Sequence, residues 1–128
     1  MSPDLKYLLF SVLLAFVQVL IAAAAANQVV GLNTLAGNRD DLPVFSGFAG
    51  RARRAHLNMI ENMVLFTALV LVAAVAGKAN AMTAMGALIF FWARLAYAAI
   101  YLLGIPWLRT LAWFVSVIGM VIIALQLI

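Results

Sequence analysis

Cysteine is absent from this chain. That excludes a disulfide framework, a thiolate metal site and a cysteine nucleophile. Charge is scarce: 9% of the 128 residues are ionised, where a soluble domain carries about a quarter. With 68% hydrophobic residues, the polar groups cannot cover a globular surface, so the solvent around the chain is lipid. Histidine occurs once, as His56, and one histidine without cysteine partners makes no metal site. No glycine-rich phosphate loop, nucleophile elbow or paired-carboxylate motif is present. Eight basic against four acidic residues leave a net charge of +4. That excess is too small and scattered to engage nucleic acid, and reads better as membrane topology.

What the chain does have is apolar runs. They cover Tyr7 to Val30, Met63 to Gly77, Ala81 to Leu103, and Trp107 to Ile128. A spanning helix needs about 20 residues. The second run is too short unless its helix extends back through Leu57 to Asn62, which takes Asn58, Glu61 and Asn62 towards the membrane. Unpaired backbone in lipid costs several kcal/mol, so the extension is expected. The fold expected is all-α: one polytopic membrane domain over 1–128, a bundle of four helices at about 5–30, 48–77, 81–103 and 107–128. The first run is too long for a removable signal segment and no cleavage pattern follows it.

Between the runs, Gly31 to Arg51 is polar and reads as a loop. Gly77-Lys78-Ala79-Asn80 is a tight turn, and Gly104-Ile105-Pro106 separates the last two helices. Loops one and three share a side with Arg39, Arg51, Arg53, Arg54 and Arg109, while the termini and the second turn carry Lys6 and Lys78. The excess of arginine places loops one and three in the cytoplasm and both termini outside it. The setting expected is a bacterial inner membrane. Alanines 22–26, with Gly86, Ala93, Ser116 and Gly119, suit close helix packing.

Ionisable residues inside a span are costly and are functional candidates by default. Glu61 and Arg94 are the two here. Arg54, Asn58 and Glu61 follow i, i+4, i+7 and share one helical stripe; Arg94, Tyr97 and Tyr101 form a second. Arg94 lies nine residues from Leu103, about 14 Å deep, where Glu61 on the neighbouring helix can meet it. Two readings stay open and are compatible. One is a Glu61–Arg94 strut that locks the bundle. The other is a polar pocket opening to the cytoplasm. His56 reads as an interfacial or packing histidine, Trp107 and Trp113 as interface anchors, and Arg39, Arg51 and Arg53 as topology signals or contacts to anionic lipid.

On these residues a family resemblance enters. Arg53-Arg54-Ala55-His56-Leu57-Asn58 followed by Glu61-Asn62, then Phe91-Trp92-Ala93-Arg94-Leu95-Ala96-Tyr97 with Tyr101, then Pro106-Trp107-Leu108-Arg109-Thr110, resemble in order the signatures of the MAPEG family, the membrane-associated proteins in eicosanoid and glutathione metabolism. The resemblance runs from about Gly47 to the C-terminus; the first helix fits by position alone. It implies a left-handed four-helix bundle that assembles as a homotrimer, with glutathione as co-substrate between subunits and a lipophilic second substrate arriving through the lipid. It also implies that Arg54, Asn58, Glu61, Arg94, Tyr97 and Tyr101 hold the tripeptide, that Arg109 sits near its sulfur, and that Thr110 can reach the thiol. The charges agree: glutathione has two carboxylates for arginines and an ammonium for Glu61. Arginine, ionised at any working pH, favours a thiolate beside it.

Three function classes compete. The first is a glutathione-dependent transferase or peroxidase. The second is a non-catalytic structural or regulatory trimer of the same fold. The third is a small proton-coupled exporter, whose essential carboxylate is expected in an otherwise uncharged bundle, unlike the arginine-rich surroundings of Glu61.

Overall fold

A computed structural model describes Met1–Ile128. Its elements are α1 (Pro3–Val30), α2 (Leu32–Ala36), α3 (Gly47–Val75), α4 (Ala81–Leu103) and α5 (Pro106–Leu127). All except α2 are long and apolar enough to cross a membrane. The chain is an all-helical membrane bundle of four spans. The backward extension of the second span is real: α3 runs unbroken through Asn58, Glu61 and Asn62. It ends at Val75, two residues short of the expected Gly77, because the chain there turns towards α4. The polar connection from Gly31 to Arg51 is not all loop. It contains the short helix α2 and the first turn of α3, local hydrogen bonding that composition does not register.

Local chemistry sets the helix ends. Pro3 occupies the first turn of α1, where a missing N–H costs nothing, and Asp4 lies at the positive end of the helix dipole. At the start of α4, Asn80 Oδ1 accepts from the N–H groups of Met82 (2.7 Å) and Thr83 (3.1 Å), and Thr83 Oγ1 accepts from Asn80 N–H (2.8 Å). This capping box satisfies donors that lipid could not. Gly104 ends α4 in the left-handed region at φ 80°, a conformation that favours glycine. Pro106 then opens α5.

The packing follows from residue size. α3 and α4 touch each other and both flanking helices, whereas α1 and α5 do not touch. The cross-section is therefore a diamond with α3 and α4 on its short diagonal. At its centre Phe66 and Phe90 stack at 3.8 Å between centroids, among fully buried Met59, Val70 and Ile123. α4 and α5 approach at two glycines. A Cβ on Gly86 would stand 2.6 Å from the Gly119 carbonyl oxygen, and one on Gly119 2.6 Å from that of Gly86. Without a hydrophobic drive between helices in lipid, such close approach is what attraction rests on. Large apolar side chains such as Phe16, Leu65, Phe114 and Ile118 point outwards, as the lipid surroundings require.

Two polar seams close the ends. At one end Lys78 Nζ donates to the Leu127 carbonyl (2.7 Å) and Asn80 Nδ2 to Gln126 Oε1 (3.2 Å), placing a cation on the last carbonyls of α5. At the arginine-rich end Arg51 Nε donates to the Leu102 carbonyl (3.1 Å), giving the C-terminus of α4 the same treatment.

Candidate functional site at the arginine-rich end

Arg94 is the largest fully buried side chain, 1% exposed. It does not pair with Glu61. Its Nη2 donates to Asn58 Oδ1 at 2.8 Å, and its guanidinium carbon lies 4.2 Å from the centroid of the Tyr97 ring. Glu61 is exposed on the outer surface of α3. The expected strut fails for a geometric reason. Asn58 and Glu61 are three residues apart, so they are rotated by about 60° around the helix, and α3 presents Asn58 to α4. Nε and Nη1 of Arg94 have no partner within the chain.

Asn58 is consequently held in one orientation. Its Oδ1 accepts from Arg94 and from Asn62 Nδ2 (3.2 Å), and its backbone carbonyl accepts from the same Asn62 nitrogen (2.8 Å). Arginine can only donate, so the oxygen of Asn58 must face Arg94. The Asn58 amide N–H₂ remains free to donate to a ligand.

That amide borders a cavity of about 130 Å³ lined by Asn58, Tyr97, Arg109, Thr110 and Trp113. Three helices meet there: α3 supplies the amide, α4 the phenol, and α5 the guanidinium and hydroxyl. Arg109 lies with its guanidinium carbon 4.4 Å from the Tyr101 ring centroid, a cation–π geometry. Tyr101 is held from its other end, since Arg54 Nε donates to its hydroxyl at 3.1 Å. Thr110 Oγ1 donates to the Pro106 carbonyl at 3.3 Å.

Of the residues picked from the sequence, Asn58, Tyr97, Arg109 and Thr110 share this cavity. Tyr101 flanks it by packing against Arg109, and Arg54 stands one step further out, bound to the Tyr101 hydroxyl. Arg54 also borders a separate surface cavity with Arg53, Gly50 and Pro43. Arg94 stands behind the cavity, reaching it through Asn58 and Tyr97. Glu61 does not line it. Trp113 was not among the residues expected to line a site. The signal was available in its spacing: it is i+4 from Arg109, on the same face of α5.

The model of the MAPEG family matches residues 7–128. The chain belongs to the MAPEG family. The match takes in most of α1, which motif resemblance alone left to position. The family includes glutathione transferases and peroxidases as well as other members. A search of curated proteins matched nothing.

Proposed function

We propose that this MAPEG protein is a glutathione-dependent transferase or peroxidase acting on a lipophilic electrophile or hydroperoxide. The observation that carries the reading is the cavity in which Arg109, Thr110, Asn58 and Tyr97 converge. It offers one cation, one amide donor and two hydroxyls around a space that suits a single functional group. Glutathione would supply the nucleophile: its thiolate forms a bond to an electrophilic carbon as the leaving group departs, or attacks the terminal oxygen of a hydroperoxide, breaking the O–O bond and releasing the alcohol. In the second case another glutathione then converts the sulfenic acid to the disulfide and water.

The residues divide the work. Arg109 favours the anionic form of a thiol placed in the cavity, and the free-thiol pKa of about 8.5 falls by 1–3 units beside such a charge. Thr110 donates to the same sulfur when its hydroxyl turns from Pro106. Asn58 donates its free N–H to the peptide, and Arg94 acts as a positioning residue by fixing that amide. Arg54, Tyr97 and Tyr101 complete the walls. Glu61, unpaired and exposed on α3, is free to take the peptide's ammonium.

A cavity of about 130 Å³ is smaller than the roughly 300 Å³ at which ligand pockets begin. A tripeptide therefore extends beyond one subunit, and we take the working unit to be a homotrimer with glutathione at the subunit interface. The arginine-rich end faces the cytoplasm by the positive-inside rule. The test is to titrate purified protein with glutathione near neutral pH while following thiolate absorbance. A saturable rise that Arg109→Leu abolishes is expected. Binding without thiolate formation would indicate a non-catalytic trimer, and no binding would remove glutathione altogether.

A further inference from the structure

Gln18 sits in the middle of α1 with its side chain buried, 5% exposed. It belongs to the inward stripe Leu8, Ser11, Ala15, Gln18 and Ala25, whose spacing keeps one face of the helix on the bundle. Ala15, nearly one turn earlier, belongs to the apolar cluster of Met59 and Met63 from α3 and Phe90 from α4. Gln18 therefore faces the seam between α3 and α4. An amide oxygen buried in lipid is costly unless a donor reaches it, and Oε1 of Gln18 has no partner within the chain. Ser11 on the same stripe is satisfied locally, as its hydroxyl donates to the Tyr7 carbonyl at 2.8 Å.

Arg94 has the complementary need. Its Nε and Nη1 are buried donors without a partner, while Nη2 is taken by Asn58. α1 and α4 cross the membrane in the same direction and in contact, with Val17 and Leu95 in one apolar groove between them. Gln18 adjoins Val17 and Arg94 adjoins Leu95, so the two lie at one depth. Gln18 follows Ala15 by three residues and Arg94 follows Phe90 by four, so both continue the contact made one turn earlier. The other buried nitrogen near this level is His56 Nδ1. His56 lines a cavity with Val19, Ala22 and Ala23 that Gln18 does not line. Arginine only donates and an amide oxygen only accepts, yet no bond joins Arg94 and Gln18 directly.

We propose that one buried water bridges Gln18 Oε1 to the free side of the Arg94 guanidinium, and that Gln18 is thereby a positioning residue for the glutathione site. A buried water takes two to four polar partners; this one accepts from Arg94 and donates to Gln18. Arg94 is then gripped on two sides, by the Asn58 oxygen and by the water. A guanidinium held on one side swings and takes Asn58 with it. Held on both, it keeps the Asn58 amide aimed at the cavity. α1 does not touch α5, so Gln18 acts on binding of the peptide and not on Arg109 or the thiolate. The role in glutathione binding rests on the function proposed above; the water bridge does not.

Two measurements separate these parts. The first uses protein with isotope-labelled arginine and histidine, the Arg94 signals being identified by Arg94→Lys. Gln18→Met should shift the guanidinium resonances of Arg94 and speed exchange of their protons with solvent, since methionine keeps the bulk and offers only a weak acceptor. The second is glutathione titration with turnover. Gln18→Met should weaken glutathione binding about fivefold, the worth of one hydrogen bond. Its kcat at saturating glutathione, and the pH profile of kcat, should stay as in wild type. Gln18→Glu keeps an acceptor in place and should restore the affinity, and Ser11→Ala should change neither measurement. Arg94 resonances unmoved by Gln18→Met overturn the bridge, as does a shift of the His56 ring in their place. Resonances that move while glutathione affinity holds, or an equal loss of affinity in Ser11→Ala, overturn the positioning role. A wild-type protein that binds no glutathione removes the proposed function, and the resonances alone then decide the bridge.

Discussion

Replacing Arg109 with lysine keeps the positive charge and removes the planar fork. The guanidinium carbon of Arg109 lies over the Tyr101 ring, 4.4 Å from its centroid, and Arg54 holds that ring through its hydroxyl. A lysine ammonium is compact and strongly hydrated and cannot keep that position. Suppose Arg109 lowers the thiol pKa by about 2 units, in the middle of the range for a charge at close contact and equivalent to about 2.7 kcal/mol. At pH 7 about three quarters of bound thiol is then ionised, against roughly 3% for a thiol left at about 8.5. Arg109→Lys should therefore slow turnover of an activated aryl halide by up to about 25-fold at pH 7. Glutathione affinity should stay nearly unchanged, since other residues take its carboxylates. The deficit must shrink as pH rises, because deprotonation by solvent replaces the lost help. By pH 8.5 about half of an unassisted thiol is ionised, and the deficit should be about twofold. Stopped-flow thiolate absorbance and initial rates between pH 6.5 and 9 measure both quantities. Wild-type rate at pH 7, or a deficit that does not change with pH, refutes the role given to Arg109.

Glu61→Gln should leave the melting temperature unchanged, because Glu61 is exposed and Arg94 is bound to Asn58 instead; glutathione should bind about tenfold more weakly, as for a lost charge-assisted bond, and a large drop in melting temperature would restore the Glu61–Arg94 pair. Gly119→Ala should destabilise the bundle by about 1–3 kcal/mol, the usual cost of overpacking, since the new Cβ would stand 2.6 Å from the Gly86 carbonyl oxygen; a thermal melt identical to wild type shows that α4 and α5 do not meet there. A reporter fused after Ile128 should be active only outside the cytoplasm, and a cytoplasmic signal reverses the topology. Native mass measurement in mild detergent should give three chains, and a monomer that still binds glutathione argues against an interfacial site.

The membrane class was legible without a structure. Low charge and long apolar runs are properties of composition, and helix is the only way those runs can satisfy their backbone in lipid. The extension of α3 through Asn58 and Glu61 was legible for the same reason. Arg109 and Thr110 were marked only by the resemblance of the segment Pro106 to Thr110 to a family signature, since by composition Arg109 reads as a topology signal, and they line the cavity. Trp113 was harder to place. A tryptophan near a helix start has a ready explanation as an interface anchor, and only the rotation of α5 turns it inwards. Arg94 was marked as functional, but its burial at 1% exposure makes it a support for Asn58 and not a wall of the cavity.

The sequence by itself determined the number of spans, their order and the stripes of polar residues along each helix, because hydropathy and the 3.6-residue period are local. It did not determine which stripe meets which. The tertiary structure brought Arg94 to Asn58 and left Glu61 outside, a difference of about 60° in the rotation of α3. It also set the diamond arrangement in which α1 and α5 stay apart. Those outcomes depend on how side chains of different helices interlock, such as Phe66 on Phe90 and Gly86 on Gly119. Helix rotation is set by the packing of all faces at once, and no single segment carries that information.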